Sequence, residues 1–548
     1  MEWKQKSPKI KYRKKDSVLR KLVSINGVED MDSFLNPDSK FLHDPYLLKN
    51  IDIARNIIIA AMHERKMISI FFDIDADGLC SGAIMFNYIK KFTDNVCYFH
   101  AQRSAGHGIH TAMKFIPEGT ELLIIVDSSS SEAAECERLL ADGIENIIII
   151  DHHIMDKENL HAIIVNPQQD EYPNKSISGS GLCWKMCQVL DDNLGEEYSK
   201  DLIDLAGVGM IADVMSLKEM ENRYIISEAL DNFENCGLKA MIENNPYANL
   251  FDLSVKDISF SIAPLLNATS RMDKIEFAIK LLTTDDRQEA VLIATDIQIM
   301  NNTRKEMQAF FIEKFTPLLN DDDRIIVITD DKIGKGFSGL VAGELANLYR
   351  KPVVIIQHNP KNRRKTMDGS FRSYGSFKLK SFFESLPFEY SLMAGHEGAG
   401  GIGFKVSSLE NFKEIANEYL KNVEFEQSML YDLEIDASDI TEEMLQEVKD
   451  FNRLSGQNVS EAKFLVKNLL ADTKDPKMKA KNILKVKCSN GMVLMKFRTS
   501  KKYIEEFPTM EKLEVVGALS LNVFKMKQGN FKKEIKTIQV ILDDYRIV

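Results

Sequence analysis

No run of this 548-residue chain is apolar for long enough to span a bilayer. The opening residues, "MEWKQKSPKIKYRKKDS", lack the apolar core of a secretory signal. Both absences predict a cytoplasmic protein with no membrane partner. Cysteine is scarce: there are seven, none in a Cys-x-x-Cys pair. That argues against a structural zinc site and a disulfide framework, and it fits a reducing compartment. Cys183 and Cys187 have the i,i+4 spacing of a helix and read as packing residues. Internal repeats and low-complexity stretches are missing as well. What remains is an ordinary composition, 44% hydrophobic and 28% charged. The length suits about three or four domains.

Positive charge is in deficit overall. The net charge of −12 speaks against nucleic acid as a partner, but the average conceals two basic blocks. Nine Lys/Arg and one acid, Asp16, lie between Lys4 and Lys21. Twelve Lys/Arg and two acids, Asp472 and Asp475, lie between Lys463 and Lys502. The acids gather elsewhere, notably in "EFEQSMLYDLEIDASDITEEMLQEVKD" at 424–450. Basic blocks are often only solvated faces. An acidic total with local basic patches is also compatible with a DNA enzyme whose site is charged by metal ions.

The first half alternates short apolar strands with helical patterns, the signature of a parallel α/β sheet. "MISIFF" (67–72), "ELLIIV" (121–126), "NIIII" (146–150) and "HAIIV" (161–165) are the predicted strands. A helix-rich stretch follows from about 200 to 318. "RIIVIT" (324–329) and "PVVII" (352–356) open a second α/β unit that runs to the glycine-rich "AGHEGAGGIGF". The last hundred residues predict a small antiparallel barrel from "NILKVKC", "MVLMKFR", "KLEVVGALSL" and "TIQVILDD".

Three predicted strands end on acids. "FFDIDADGLCSG" puts Asp73, Asp75 and Asp77 on alternate residues, "IIVDSSSS" ends at Asp127, and "IIIIDHH" ends on Asp151, His152 and His153. Like charges so spaced repel unless a cation neutralises them. A calcium loop would need a bidentate Glu where this chain has "AIMFNY", which argues against that reading. Asp213 sits in "GMIADVMSL", an apolar context where an unpaired charge is costly. Ends of parallel strands converge on one sheet edge, where open α/β sheets bind ligands. Carboxylates and imidazoles together suit two divalent ions, the arrangement that clamps a phosphoryl group.

In this order, Asp-x-Asp-x-Asp-Gly, a strand-terminal Asp, Asp-His-His and Ala-Asp-Val-Met resemble the motifs of the DHH phosphoesterases. The resemblance is to their RecJ branch and extends over nearly the whole chain. "FLHDPYLLKNIDIA", "QRSAGHGI", "NPQQDEYP", "ISGSGLCWK", "ENRYIISEAL" and "APLLNATSRM" resemble its catalytic-domain signatures. "GSFRS" and "AGHEGAGGIGF" look like the DHH-associated domain, and "LSGQNVSEAKF" and "LEVVGALSLNVF" like a C-terminal OB-fold. The implied layout is a basic N-terminal arm (1–24), a parallel-sheet DHH catalytic domain (25–285), a connecting helix (286–319), a smaller α/β DHH-associated domain (320–423), and an acidic connector with OB-fold (424–548).

The resemblance implies that Asp75, Asp77, Asp127, His152, His153 and Asp213 hold two divalent ions, Mn²⁺ or Mg²⁺. Asp73 is then an extra carboxylate near the metals, and Asp151 orients a histidine. Arg103, His107, Asn267 and Arg271 would contact substrate, with Ser370, Arg372 and His396 from the associated domain. An ordinary interdomain ion pair is the competing reading of Arg271. His107 stands where the family usually has an aromatic residue, and Ala394 where glycine is common. The implied activity is a 5′ to 3′ single-stranded DNA exonuclease releasing mononucleotides, with a single-strand binding protein or helicase as a candidate partner. No surface element reads as an oligomerisation motif, so a monomer is the default expectation. A phosphodiesterase of short RNA or cyclic dinucleotides is the alternative within the class. A catalytically dead single-strand-binding scaffold is the alternative outside it, although such relatives lose metal ligands and this chain keeps them all.

Overall fold

The computed structural model describes residues 2–101, 106–169, 171–246, 248–359, 365–425, 428–479, 482–528 and 531–548. The first sheet has five parallel strands in the spatial order Val96–His100, Ile68–Phe72, Leu122–Val126, Asn146–Ile150, Ile163–Val165. Ile68–Phe72 and Leu122–Val126 are buried at every position, which explains their apolar sequence; the one polar residue, Ser69, bonds Thr120 Oγ1 at 2.7 Å. Register aligns the ends of these strands. Phe72 pairs with Val126, and Val126 with Ile150. Asp73, Asp127 and Asp151 therefore leave the sheet side by side. The edge strand Val96–His100 is not among the predicted strands; it is half exposed and its "VCYFH" has no clean apolar run.

Helices cover this sheet as predicted. Ala76–Ile89 returns from the first strand, and Gly179–Leu194 and Ile203–Ala212 pack on it. Cys183 and Cys187 are buried within Gly179–Leu194, as their spacing predicts. The 29-residue helix Arg287–Phe315, capped by Asp286, leads to the second α/β unit. That unit's five strands run in the order Leu392–His396, Ala399–Lys405, Thr366–Arg372, Val353–His358, Ile326–Thr329. Only the pair Ile326–Thr329 and Val353–His358 is parallel.

The last region corrects the expectation of an antiparallel barrel in part. Its six strands form a mixed sheet: Leu433–Asp436 runs parallel to Phe464–Lys474, and Val493–Lys496 parallel to Phe531–Ile547. Phe464–Lys474, not predicted as a strand, pairs with both Leu484–Cys488 and Glu511–Gln528. A register shift between Val466 and Leu469, with Asn468 at φ 59°, breaks the alternation that would have revealed it.

The N-terminal block is not a free arm. Trp3–Gln5 pairs in parallel with Met429–Tyr431, Lys6 meets Asp432 at 2.8 Å, and Lys14 meets Asp439 at 2.9 Å. Helix Val18–Ile25 packs on helix Glu442–Arg453, which buries Met444, Leu445, Val448 and Phe451. The acidic stretch is thus an amphipathic docking helix rather than a bare connector. One continuous hydrophobic core joins Leu22, Ile70 and Leu205 to Phe464 and Val515. A boundary near 424 divides the sequence but not the core. Among the described residues no helix is long and apolar enough to cross a membrane.

Candidate metal centre

The carboxyl edge of the first sheet is a crowd of acids built by short-range geometry. Asp73, 5% exposed, accepts from the backbone N–H of Ile74 at 2.8 Å. Asp75 caps helix Ala76–Ile89, accepting from the N–H groups of Asp77 and Gly78 at 3.0 Å each. Asp77 begins that helix, 2% exposed; its Oδ1 accepts from Ser178 Oγ at 2.8 Å and Ser180 Oγ at 2.5 Å. Asp127 and Val214 hold left-handed backbone at φ 61° and 59°, uncommon for either residue type. Asp213 caps the end of helix Ile203–Ala212.

The two histidines play different parts. His153 Nδ1 lies 2.7 Å from Asp151 Oδ1, leaving Nε2 for a ligand. Asp151 is 1% exposed and also accepts from the N–H groups of His152, His153 and Ser130. It ties the loop and His153 together. His152 Nε2 lies 3.3 Å from Asp127 Oδ1 and 3.5 Å from Asp213 Oδ2. Among the described residues, three overlapping sets have ligand atoms within 4.8 Å of one another: Asp127–His152–His153, Asp77–His152–Asp213, and Asp73–Asp75–Asp127.

Electrostatics show the cost of this crowd. Burial, then the charges of Asp73 and Asp77, pushes Asp75 up to about 6. Burial, then Asp77 and Asp75, pushes Asp213 up to about 8, and Asp127 is driven well above the carboxylate range, again mainly by burial. Burial pushes Asp151 up too, but its hydrogen bond and attraction to His153 outweigh that and hold it at about 2. The same bond raises His153 to about 9. Among the described residues, Asp77 Oδ2 and Asp127 Oδ1 are buried without accepting a hydrogen bond, although Asp127 Oδ1 faces His152 Nε2. Buried carboxylate oxygens left bare are costly, and a divalent cation supplies what they lack. The carboxylate and imidazole donors fit Mn²⁺ or Mg²⁺.

Several supporting residues were not foreseen. Ser178 and Ser180 hold Asp77, and glycines make room around the acids. A Cβ on Gly179 would lie 2.7 Å from Asp127 Oδ1, and one on Gly209 would lie 2.4 Å from Asp77 Oδ1. The alternating Ser-Gly-Ser-Gly of "ISGSGLCWK" is the local signal for Ser178, Gly179 and Ser180; Gly209 lies outside it.

The expected substrate contacts fall in two groups. His107 Nδ1 lies 2.8 Å from Asp73 Oδ2, with its ring largely exposed beside the acids. Asn267 and Arg271 lie one turn apart on helix Ala263–Arg271, and Arg271 Nη1 donates to Gly336 O at 2.8 Å. Gly336 belongs to helix Lys335–Tyr349 of the second unit. On that helix Ser338 Oγ is 2.9 Å from Ser370 Oγ, and Gly339 leaves space for Arg372 Nη2. Arg271, Ser370 and Arg372 are thus gathered along one helix end. His396 is exposed on Leu392–His396, pairing with Ala399, which pairs in turn with Arg372. Arg103 lies outside the described residues.

Residues 67–210 match the N-terminal domain of the DHH family. Over 97% of its length the chain is 27% identical to 96% of a Bacillus subtilis (strain 168) protein named "Putative SPbeta prophage-derived single-strand DNA-specific exonuclease YorK". The chain resembles RecJ-like members of the DHH family. It is 28% identical to the single-stranded-DNA-specific exonuclease RecJ of B. subtilis, over 76% of this chain and 54% of that one. It therefore spans about half the length of that RecJ. A crystal structure of Thermus thermophilus RecJ with Mn²⁺ shares the fold, with a TM-score of 0.75 at 23% identity, covering 96% of this chain and 75% of that one.

Proposed function

We propose that the chain is a metal-dependent exonuclease of single-stranded DNA, acting 5′ to 3′ and releasing mononucleotides. The observation that carries this reading is the convergence of five acids and two histidines on one sheet edge, where two buried carboxylate oxygens accept no hydrogen bond among the described residues. The likeness to proteins named single-strand-specific exonucleases supports the substrate. In this reading Asp75, Asp77, Asp127, His152, His153 and Asp213 hold two divalent ions. Such a pair supplies positive charge to the attacking and leaving oxygens of a phosphodiester and acidifies the attacking water.

The chain's own groups do the rest. Asp151 keeps the proton of His153 on Nδ1, so that Nε2 stays available. Ser178 and Ser180 fix one oxygen of Asp77 and leave the other pointed at the site. Arg271 and Arg372 offer guanidinium forks for substrate phosphates, with Asn267, Ser370 and His396 beside them and His107 at the metal rim. Strand between the two α/β units would reach the acids as a single chain. The basic stretch 463–502 lies on the C-terminal sheet, which we read as an OB-fold holding more distant nucleotides by stacking and phosphate contacts. A non-catalytic scaffold has no need of a complete ligand set.

The test is digestion of 5′- and 3′-labelled single strands in Mn²⁺ or Mg²⁺, with duplex, short RNA and cyclic dinucleotide controls. Mononucleotides released from the 5′ end of single-stranded DNA are expected. Preference for short RNA or cyclic dinucleotides would replace the substrate, and binding without cleavage in either metal would favour the scaffold.

A further inference from the structure

The loop after Asp213 cannot hold its own shape. The N–H groups of Asp213, Val214 and Met215 are satisfied by the preceding helix, through Gly209 O at 2.9 Å, Ile211 O at 3.2 Å and Met210 O at 3.0 Å. Ser216 and Leu217 lie beyond its reach and need outside partners. Ser216 N–H donates to Ser176 Oγ at 3.2 Å. Leu217 N–H donates to Gln457 O at 3.0 Å, a residue 240 positions away in the C-terminal region. Asn458 Nδ2 donates to Ser216 Oγ at 3.0 Å. Gly456 sits directly on Leu217, where a Cβ would be 2.8 Å from Leu217 Cδ1, and Leu217 is 2% exposed.

The turn supplying these groups is itself well defined. Gly456 N–H donates to Val459 O at 2.7 Å, and Asn458 takes a left-handed backbone at φ 63°. Asn222, fully buried, ties the loop from the other side through Ser216 O at 3.1 Å and Ser176 O at 2.5 Å. The loop is thus held between the catalytic domain and the turn, at the point where Val214 carries its unfavourable φ. A conformation of that kind persists only where its surroundings over-determine it.

We propose that turn 456–459 positions Asp213, with Asn458 as the positioning residue, so that the C-terminal region helps to build the metal centre. The inference rests on the reading of Asp213 as a metal ligand. Loosening the turn weakens metal binding rather than strand binding.

The test uses full-length protein and Mn²⁺ alone, titrated calorimetrically without DNA, with single-strand affinity measured separately in EDTA. Asn458→Gly keeps the left-handed backbone and removes only the amide. It should raise the Mn²⁺ dissociation constant by about tenfold, the lower end for lost outer-shell support, while strand affinity in EDTA holds. Ser216→Ala should act in the same direction, and the double variant should be no worse than the poorer single one, as for two ends of one contact. Unchanged Mn²⁺ affinity in Asn458→Gly overturns the proposal, as does a loss confined to strand affinity. Should Asn458→Gly melt much lower without metal, Ser216→Ala, which leaves the turn intact, decides by the same two outcomes. A wild-type protein that binds no Mn²⁺ fails the metal-centre reading instead.

Discussion

At the edge of the first sheet, Asp73, Asp75, Asp77, Asp127 and Asp213 have no Lys or Arg partner among the described residues. Across the acidic stretch 432–442, Asp432 takes Lys6, Asp439 takes Lys14 and Glu442 takes Lys536. Both regions are rich in carboxylates, yet only the first leaves its charge for something outside the protein. The second meets bases of the same chain, Lys6 and Lys14 of the N-terminal block and Lys536 of the C-terminal sheet. A net charge of −12 says nothing of this difference, because it sums a ligand site and a docking surface. Burial of a carboxylate without a basic partner is the property that separates them.

The comparison breaks most easily at Asp77. Asp77→Asn keeps an oxygen for Ser178 and Ser180 but removes a charge that burdens Asp75, Asp127 and Asp213. Cleavage should fall to background in either metal, while the metal-free melting temperature stays level or rises. Near-normal turnover would remove Asp77 from the metal centre, and a large loss of metal-free stability would mean its charge is compensated after all.

The docking surface should answer in the opposite way. Leu22, fully buried on helix Val18–Ile25, anchors the N-terminal block. Leu22→Ala should cost about 2 to 5 kcal/mol of stability, with the salt dependence of strand binding unchanged. A free basic arm on DNA would give the reverse, normal stability and a shallower salt slope. Denaturant melts paired with binding isotherms at several salt concentrations decide it.

Metal itself should sharpen the contrast. Saturating Mn²⁺ at about a hundredfold over its dissociation constant stabilises the native state by about 2.7 kcal/mol per site. Melting curves in Mn²⁺ and in EDTA should differ by several degrees for wild type and by nothing like as much for Asp77→Asn. Equal shifts in the two proteins would place the binding elsewhere.

Much of the metal centre was legible because its signals are local. "FFDIDADG" and "IIIIDHH" put a buried strand and its candidate metal ligands in one short segment, and parallel register did the rest. The supports of the ligands were not legible. Ser178, Gly209 and Asn458 are small or polar residues whose roles exist only across the fold. The same reason hid the docking of the N-terminal block: its basic residues were plain, but the acids they meet lie some four hundred positions away. In the C-terminal sheet the bulge at Asn468 erased the alternation that marks a strand. Periodicity survives where the ladder is regular and fails where it is broken.

Arg271 tests the finest distinction, between a side chain that serves a ligand and one that serves the scaffold. Its Nη1 donates to the carbonyl of Gly336, so it touches the helix that also carries Ser338 against Ser370. A lysine can still donate to that carbonyl but cannot offer two parallel donors to a phosphate. Arg271→Lys should therefore lower the rate on single-stranded DNA by about tenfold, the loss of about 1.4 kcal/mol of charge-assisted bonding. The melting temperature should move little, because one hydrogen bond to a carbonyl is kept. Were Arg271 instead one half of a buried ion pair, losing it would cost about 3 to 5 kcal/mol of stability. Arg271→Ala would then melt far below wild type and turn over normally at low temperature. Melting curves and saturation kinetics on both variants separate the two, since a phosphate contact loses rate in the order Arg, Lys, Ala at nearly constant stability.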